Sequence, residues 1–116
     1  MAENLIRKKS YSFALEIIAL YRTLSQTHEY VLSKQVLRSG TSIGANVEEA
    51  IQAQSKKDFI SKMSIALKEA NETHYWLRLL RDSGFLTSES VAQAIDHIQE
   101  LLRILTAIIK SSKQDA

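Results

Sequence analysis

The chain of 116 residues contains no cysteine, no proline and only three glycines. Without cysteine there can be no disulfides and no thiolate-held metals, which is compatible with a reducing cytoplasm. The near absence of residues that break helices or form tight hairpin turns favours an all-α fold before any pattern is considered. No segment approaches the ~18 uninterrupted apolar residues of a membrane span. The start, "MAENLIRKKSYSF", has no basic segment leading into a long apolar run, so a cytoplasmic protein with no leader and no membrane partner is expected. Aromatic residues make up only 7% of the chain, and its formal net charge of +2 permits a polyanionic partner without requiring one.

Hydrophobic residues make up 45%, enough for one domain with a core of its own. They recur at helical spacing in four blocks, which predict helices over about 3–26, 30–54, 57–82 and 88–112 of a single domain. The predicted core stripes are Ile6, Phe13, Ile17, Leu20 and Leu24; then Leu32, Val36, Gly40, Ile43, Val47 and Ile51. In the third block the stripe is Phe59, Ile60, Met63, Leu67, Ala70, His74 and Leu77, and in the fourth Val91, Ile95, Ile98, Leu102, Leu105 and Ile109. Ser55 is a candidate N-cap, Gly84 a candidate C-cap, and Thr87 or Ser88 a candidate cap for the last helix. Four helices with short connections predict an up-down-up-down antiparallel bundle.

Two features go beyond a plain bundle. The first and last helices carry a second apolar seam, Tyr11, Ala14, Ile18 and Tyr21 in one and Leu101, Ile104 and Ile108 in the other. A second seam either fills a thick core or is buried against another copy, and self-association is the preferred reading. The second feature is "RSGTSIGANVEEA" at 38–50, with two glycines in a helix interior. Each costs about 1 kcal/mol relative to alanine, so a close helix crossing or a bend is expected there. Beside the glycines, Ser39, Ser42, Asn46 and Glu49 form a polar seam. If the chain folds back near residue 55, Asn46 meets Ser64, Ser42 meets Lys68 and Glu49 meets Ser61, giving a partly buried network that sets register.

"LRSGTSIGANVEEA" followed by "SKKDFISKMSIALKEANETHYWLRLL" resembles the bacterial four-helix-bundle family of 23S rRNA-intervening sequence proteins. That family includes the accessory variability proteins of diversity-generating retroelements. The match is densest at Ser42, Ile43, Ala45, Asn46 and Glu49, and again at Phe59, Ser64, Ile65, Ala66 and Leu67. The resemblance implies an antiparallel bundle assembled as a barrel-like homopentamer. In the retroelement branch it further implies a basic surface that binds nucleic acid and a reverse-transcriptase partner.

Candidate phosphate contacts are Arg7, Lys8 and Lys9; Arg38; Lys56, Lys57, Lys62 and Lys68; and Arg78 and Arg81. With no aromatic platform evident, binding would be backbone-directed. Against this stands the ordinary role of lysines on helix exteriors, which is to keep a bundle in solution. Catalytic and metal patterns are incomplete: His97 and Glu100 share a face without the further carboxylates of a di-iron bundle, and His74 reads as a packed histidine. Arg22 and His28 resemble the loose spacing of helical ribonucleases, without support from their surroundings. The sequence therefore predicts a non-enzymatic scaffold with no cofactor that binds RNA or DNA. A protein-interaction module is the alternative, and a helical ribonuclease a distant third.

Overall fold

A computed structural model describes residues 2–114. Its regular structure is four helices, α1 (Ala2–Gln26), α2 (Val31–Ile51), α3 (Lys56–Asp82) and α4 (Ser88–Gln114), with no strand among the described residues. Each helix packs on two others, in the cyclic order α1, α2, α3, α4. The molecule measures 48 × 20 × 19 Å, the proportions of a bundle about four α-helical diameters long.

The core is a continuous column of aliphatic side chains from Ile6 and Ile109 to Leu24 and Leu86, with Phe13 the largest side chain fully inside it. In α1 the periodicity places Ile6, Phe13, Ile17 and Leu24 inside, and Ser10 joins them. In α3 and α4 the predicted stripes are inside at Met63, Ala70 and Leu77 and at Val91, Ile98, Leu105 and Ile109, while the positions between them are turned by about one residue. Thr73, not His74, lies in the interior, along with Met63, Ala66, Ala70, Leu77 and Leu80. In α4, Leu101 and Ile108 are core residues, while Ile95 and Leu102 are half-buried. Small residues explain the rotation: Ala66, Ala70 and Ala94 let the neighbouring helix come close, so the facing arc is centred on them and not on the bulkiest side chains.

The helix ends are fixed by local chemistry. Ser55 Oγ accepts the Asp58 amide at 3.0 Å as the N-cap of α3, and Thr87 Oγ1 does the same for the Ser90 amide in α4. Gly84 takes φ = +88°, its amide donates to Arg81 O and the Leu86 amide donates to Leu80 O at 3.0 Å. This closure needs a residue with no Cβ penalty, and it drives Leu86 back into the core.

The turn between α1 and α2 uses a device the sequence pattern did not signal. Glu29 is buried, and its carboxylate accepts the Ser33 amide at 2.7 Å and the Val31 amide at 3.2 Å. Ser33 Oγ donates back to Glu29 O at 2.7 Å. Glutamate is not among the common N-cap residues, and the helix expected from about residue 30 starts at Val31. A carboxylate at this end also meets the positive pole of the helix. Replacing Glu29 with alanine is expected to cost about 1–2 kcal/mol, read as a lower urea midpoint at unchanged slope. Loss of less than about 0.3 kcal/mol would show that the cap carries no weight.

Candidate functional site

Where α2 crosses α1, the chain's small residues are used. A Cβ built on Gly40 would stand 2.9 Å from both γ-carbons of Ile17, and one on Gly44 would stand 3.4 Å from Ser10 O. Gly40 therefore makes room for the Ile17 side chain, whereas Gly44 lies beside the α1 backbone with space for a methyl group. The consequence is that α2 is pressed onto α1 and turns its opposite edge, Arg38 to Glu49, toward α3.

Along that edge the polar seam divides. Ser39 is fully buried, and its hydroxyl lies 2.8 Å from Thr73 Oγ1, which also donates to Glu69 O. This is the buried interhelical polar contact, and it pairs positions equidistant from the turn near residue 55, as expected. Ser42 and Asn46 do not cross to α3. Ser42 Oγ donates to Arg38 O at 2.6 Å and Asn46 Nδ2 to Ser42 O at 2.9 Å, both within α2, and no hydrogen bond joins Asn46 to Ser64. Short side chains four residues past a helical carbonyl satisfy themselves locally before they can span two helices. Glu49 does cross, but to Lys62 at 3.2 Å and not to Ser61.

A larger charged cluster lies at the opposite end of this edge, beside Ser39. The Arg38 guanidinium donates to Glu69 at 2.9 Å and also to Glu72, whose carboxylate accepts Trp76 Nε1 at 3.0 Å. The hydrogen bonds raise the Arg38 pKa, chiefly through Glu72. The Trp76 indole, followed by Arg38, holds the Glu72 carboxyl below its ordinary value. Next to it, burial lowers the His74 pKa, assisted by Arg78 and Arg81.

Both shifts destabilise the fold in acid. Glu72 contributes stability that is present above the ordinary carboxylate range and is lost as pH falls through its depressed folded value. His74 resists a proton that the unfolded chain accepts below about 6.5, so it also disfavours folding as pH drops. Urea midpoints are expected to fall on acidification, with Glu72→Gln flattening the lower part of the curve and His74→Gln the upper. Parallel curves for wild type and both variants would refute this.

The candidate phosphate-binding residues are unequally available. Arg7 pairs with Glu48 (2.9 Å), Lys9 with Glu100 (3.2 Å), Lys62 with Glu49, Arg81 with Asp82 (2.8 Å), and Arg38 as described. Lys8, Lys56, Lys57, Lys68 and Arg78 have no carboxylate within 4.0 Å among the described residues, and Arg78 lies 5.9 Å over the Tyr75 ring.

Of the residues predicted to form an outer apolar seam, Tyr11 is 63% exposed and Ala14, Ile18, Tyr21 and Ile104 are half-buried. Leu101 and Ile108 are spent inside the protomer. Leu15, which the seam did not include, is 54% exposed and sits one turn from Tyr11. The strongly exposed part of the apolar strip thus belongs to α1, and Ile104 of α4 is half-buried against the core.

Between α1 and α4 lies a cleft of about 400 Å³ crossed by the His97–Glu16 contact (2.7 Å) and the Lys9–Glu100 pair. Arg22 and His28 do not form a recognisable catalytic pair: Arg22 is exposed, and the His28 ring bonds Tyr30 Oη at 2.9 Å. Among the described residues no group of three histidine, aspartate or glutamate side chains is arranged to hold a metal ion, and no helix is long and apolar enough to cross a membrane.

A four-membered helical bundle with glycine-mediated α1–α2 packing, a charged α2–α3 edge and an exposed apolar strip defines an all-α bundle protein. A sequence description of 23S rRNA-intervening sequence proteins matches residues 2–107, and the chain belongs to that family. Among solved structures, it is similar to a protein with unknown function from the S23 ribosomal protein family of Bacteroides thetaiotaomicron. The two share 50% identity and a TM-score of 0.92, over 95% of this chain and 99% of that one. No functionally curated protein matches the chain.

Proposed function

We propose that the chain is a non-enzymatic scaffold, an antiparallel up-down-up-down protomer that closes into a cytoplasmic homopentameric ring and offers a repeated basic surface to RNA or DNA. The antiparallel reading is supported by contacts that run in opposite senses along neighbouring helices. Arg7 meets Glu48 while Ile17 meets Gly40; Glu49 meets Lys62 while Arg38 meets Glu72; Lys9 meets Glu100 while Glu16 meets His97.

The observation that carries self-assembly is the α1 strip of Tyr11 and Leu15, both more than half exposed in the protomer and flanked by the half-buried Ile18. Exposed apolar surface of this kind marks an interaction site. The ring and its fivefold symmetry come from the family resemblance, which also suggests a reverse transcriptase as protein partner. Repetition in a ring multiplies weak phosphate contacts, so a modest patch per copy suffices.

Static light scattering at micromolar concentration tests the assembly. A mass near five times 13.1 kDa is expected, and a single 13.1 kDa species would overturn it. A second reading, a protein-interaction module without nucleic-acid affinity, is favoured by the pairing of five of the ten candidate cations with carboxylates. Filter retention of RNA separates the two: a steep salt slope supports the scaffold reading, and no retention at ~50 mM salt supports the second.

A further inference from the structure

The formal charge of +2 hides a strong polarity along the bundle. Glu3 lines one cavity with Ala50, Ser55 and Lys56, and another with Ile104, Ile108 and Ser112, so the start of α1, the α2–α3 turn and the last turns of α4 share one end. Dividing each helix at its midpoint gives this half residues 2–13, 42–68 and 102–114, with ten lysines and arginines against four carboxylates. The other half, residues 14–41 and 69–101, has five against eight. The halves therefore carry formal charges of +6 and −3; the remaining acidic residue, Asp115, lies outside the described residues.

The contrast extends to apolar surface. At the terminal turns of the acidic half, Tyr30, Val31 and Phe85 are exposed; at those of the basic half, Leu5 is the only large exposed apolar side chain among the described residues. Lys56, Lys57, Lys110 and Lys113 crown the basic end, all exposed and none within 4.0 Å of a carboxylate among the described residues. Lys110 and Lys113 are more than fifty residues away from the α3 pair, and only the fold unites the two pairs.

We propose that this end of the bundle, headed by Lys56, Lys57, Lys110 and Lys113, is a docking surface for the phosphodiester backbone of a polynucleotide. The proposal rests on the nucleic-acid reading above and gives it a location. Unpaired lysines present point charges without fixed geometry, which suits phosphates and carries no base specificity. The scarcity of exposed apolar groups there argues against a lipid surface, which rewards insertion of such groups. The acidic opposite half repels the same polyanion and so orients it, and in a cyclic ring every copy turns its basic end to the same rim.

The test compares two multiple variants with equal charge change, Lys57→Glu/Lys110→Glu/Lys113→Glu and Arg22→Glu/Gln26→Glu/Lys34→Glu/Gln35→Glu, each first shown by circular dichroism to be folded. Filter binding uses a roughly 20-base-pair RNA hairpin, a DNA duplex of equal length, and vesicles of phosphatidylserine and phosphatidylcholine, over a salt series. The first variant is expected to lose about 100-fold in affinity and about 2–3 from the salt slope on RNA, DNA or both. The second is expected to bind within about threefold of wild type. The RNA and DNA arms identify which polymer is preferred. Equal loss in both variants overturns the location and leaves the nucleic-acid reading standing. Absence of wild-type binding to either polymer overturns that reading as well, and preference for vesicles reassigns the end to a lipid surface.

Discussion

Gly40→Val is expected to cost the protein at least about 3 kcal/mol and to leave much of it unfolded at moderate urea, because the site has no room for a side chain. A Cβ there would lie 2.9 Å from Cγ1 and Cγ2 of Ile17 and 3.3 Å from its Cβ. Ile17 is fully buried and β-branched, so it cannot swing aside through a soft terminal torsion. Even Gly40→Ala should be unfavourable. The roughly 1 kcal/mol that alanine gains as a helix former is opposed by overpacking of about 1–3 kcal/mol, for a net loss of about 1. The diagnostic is a double-mutant cycle. In an Ile17→Ala background the two γ-carbons are gone, and Gly40→Ala should become neutral or stabilising, giving a coupling above about 1 kcal/mol. Additive effects would mean that α1 and α2 do not depend on this crossing. Gly44→Ala is the internal control. Its nearest foreign atom is 3.4 Å away, so the helix-propensity gain should prevail.

That contrast marks what the linear pattern can and cannot report. Helix number, the Ser55, Gly84 and Thr87 ends, and pairing about residue 55 were all legible, because periodicity and cap chemistry are local. The rotation of α3 and α4 was not, since it depends on which alanines a neighbour approaches. Thr73 in the core and His74 at its edge differ by a single residue of phase. Spacing pairs Asn46 with Ser64 across the interface, whereas its amide donates to the Ser42 carbonyl of its own helix. Glu29 went unseen as a cap because the side chain is longer than those usually found in that role. The charge polarity was invisible for another reason: a net charge adds contributions that the fold separates by up to 48 Å.

The other large effect concerns assembly. Tyr11→Asp/Leu15→Asp should convert the proposed ring to 13.1 kDa protomers by light scattering while the helical circular dichroism signal is retained. Both side chains are more than half exposed in the protomer, so aspartate at either position costs the isolated bundle little. Within an interface core the same two carboxylates would be stripped of water without partners, a penalty of several kcal/mol per contact. Spread around a closed ring, this exceeds what an interface of ordinary size can absorb. Leu101→Ala and Ile108→Ala provide the converse. These residues lie inside the protomer, so their loss should lower the urea midpoint by about 2–4 kcal/mol in stability, through the protomer's own fold and not through a selective change in subunit mass. If the aspartate pair leaves the mass unchanged, the α1 strip is not the contact. Loss of the ring by Leu101→Ala at full helicity would move that contact to α4.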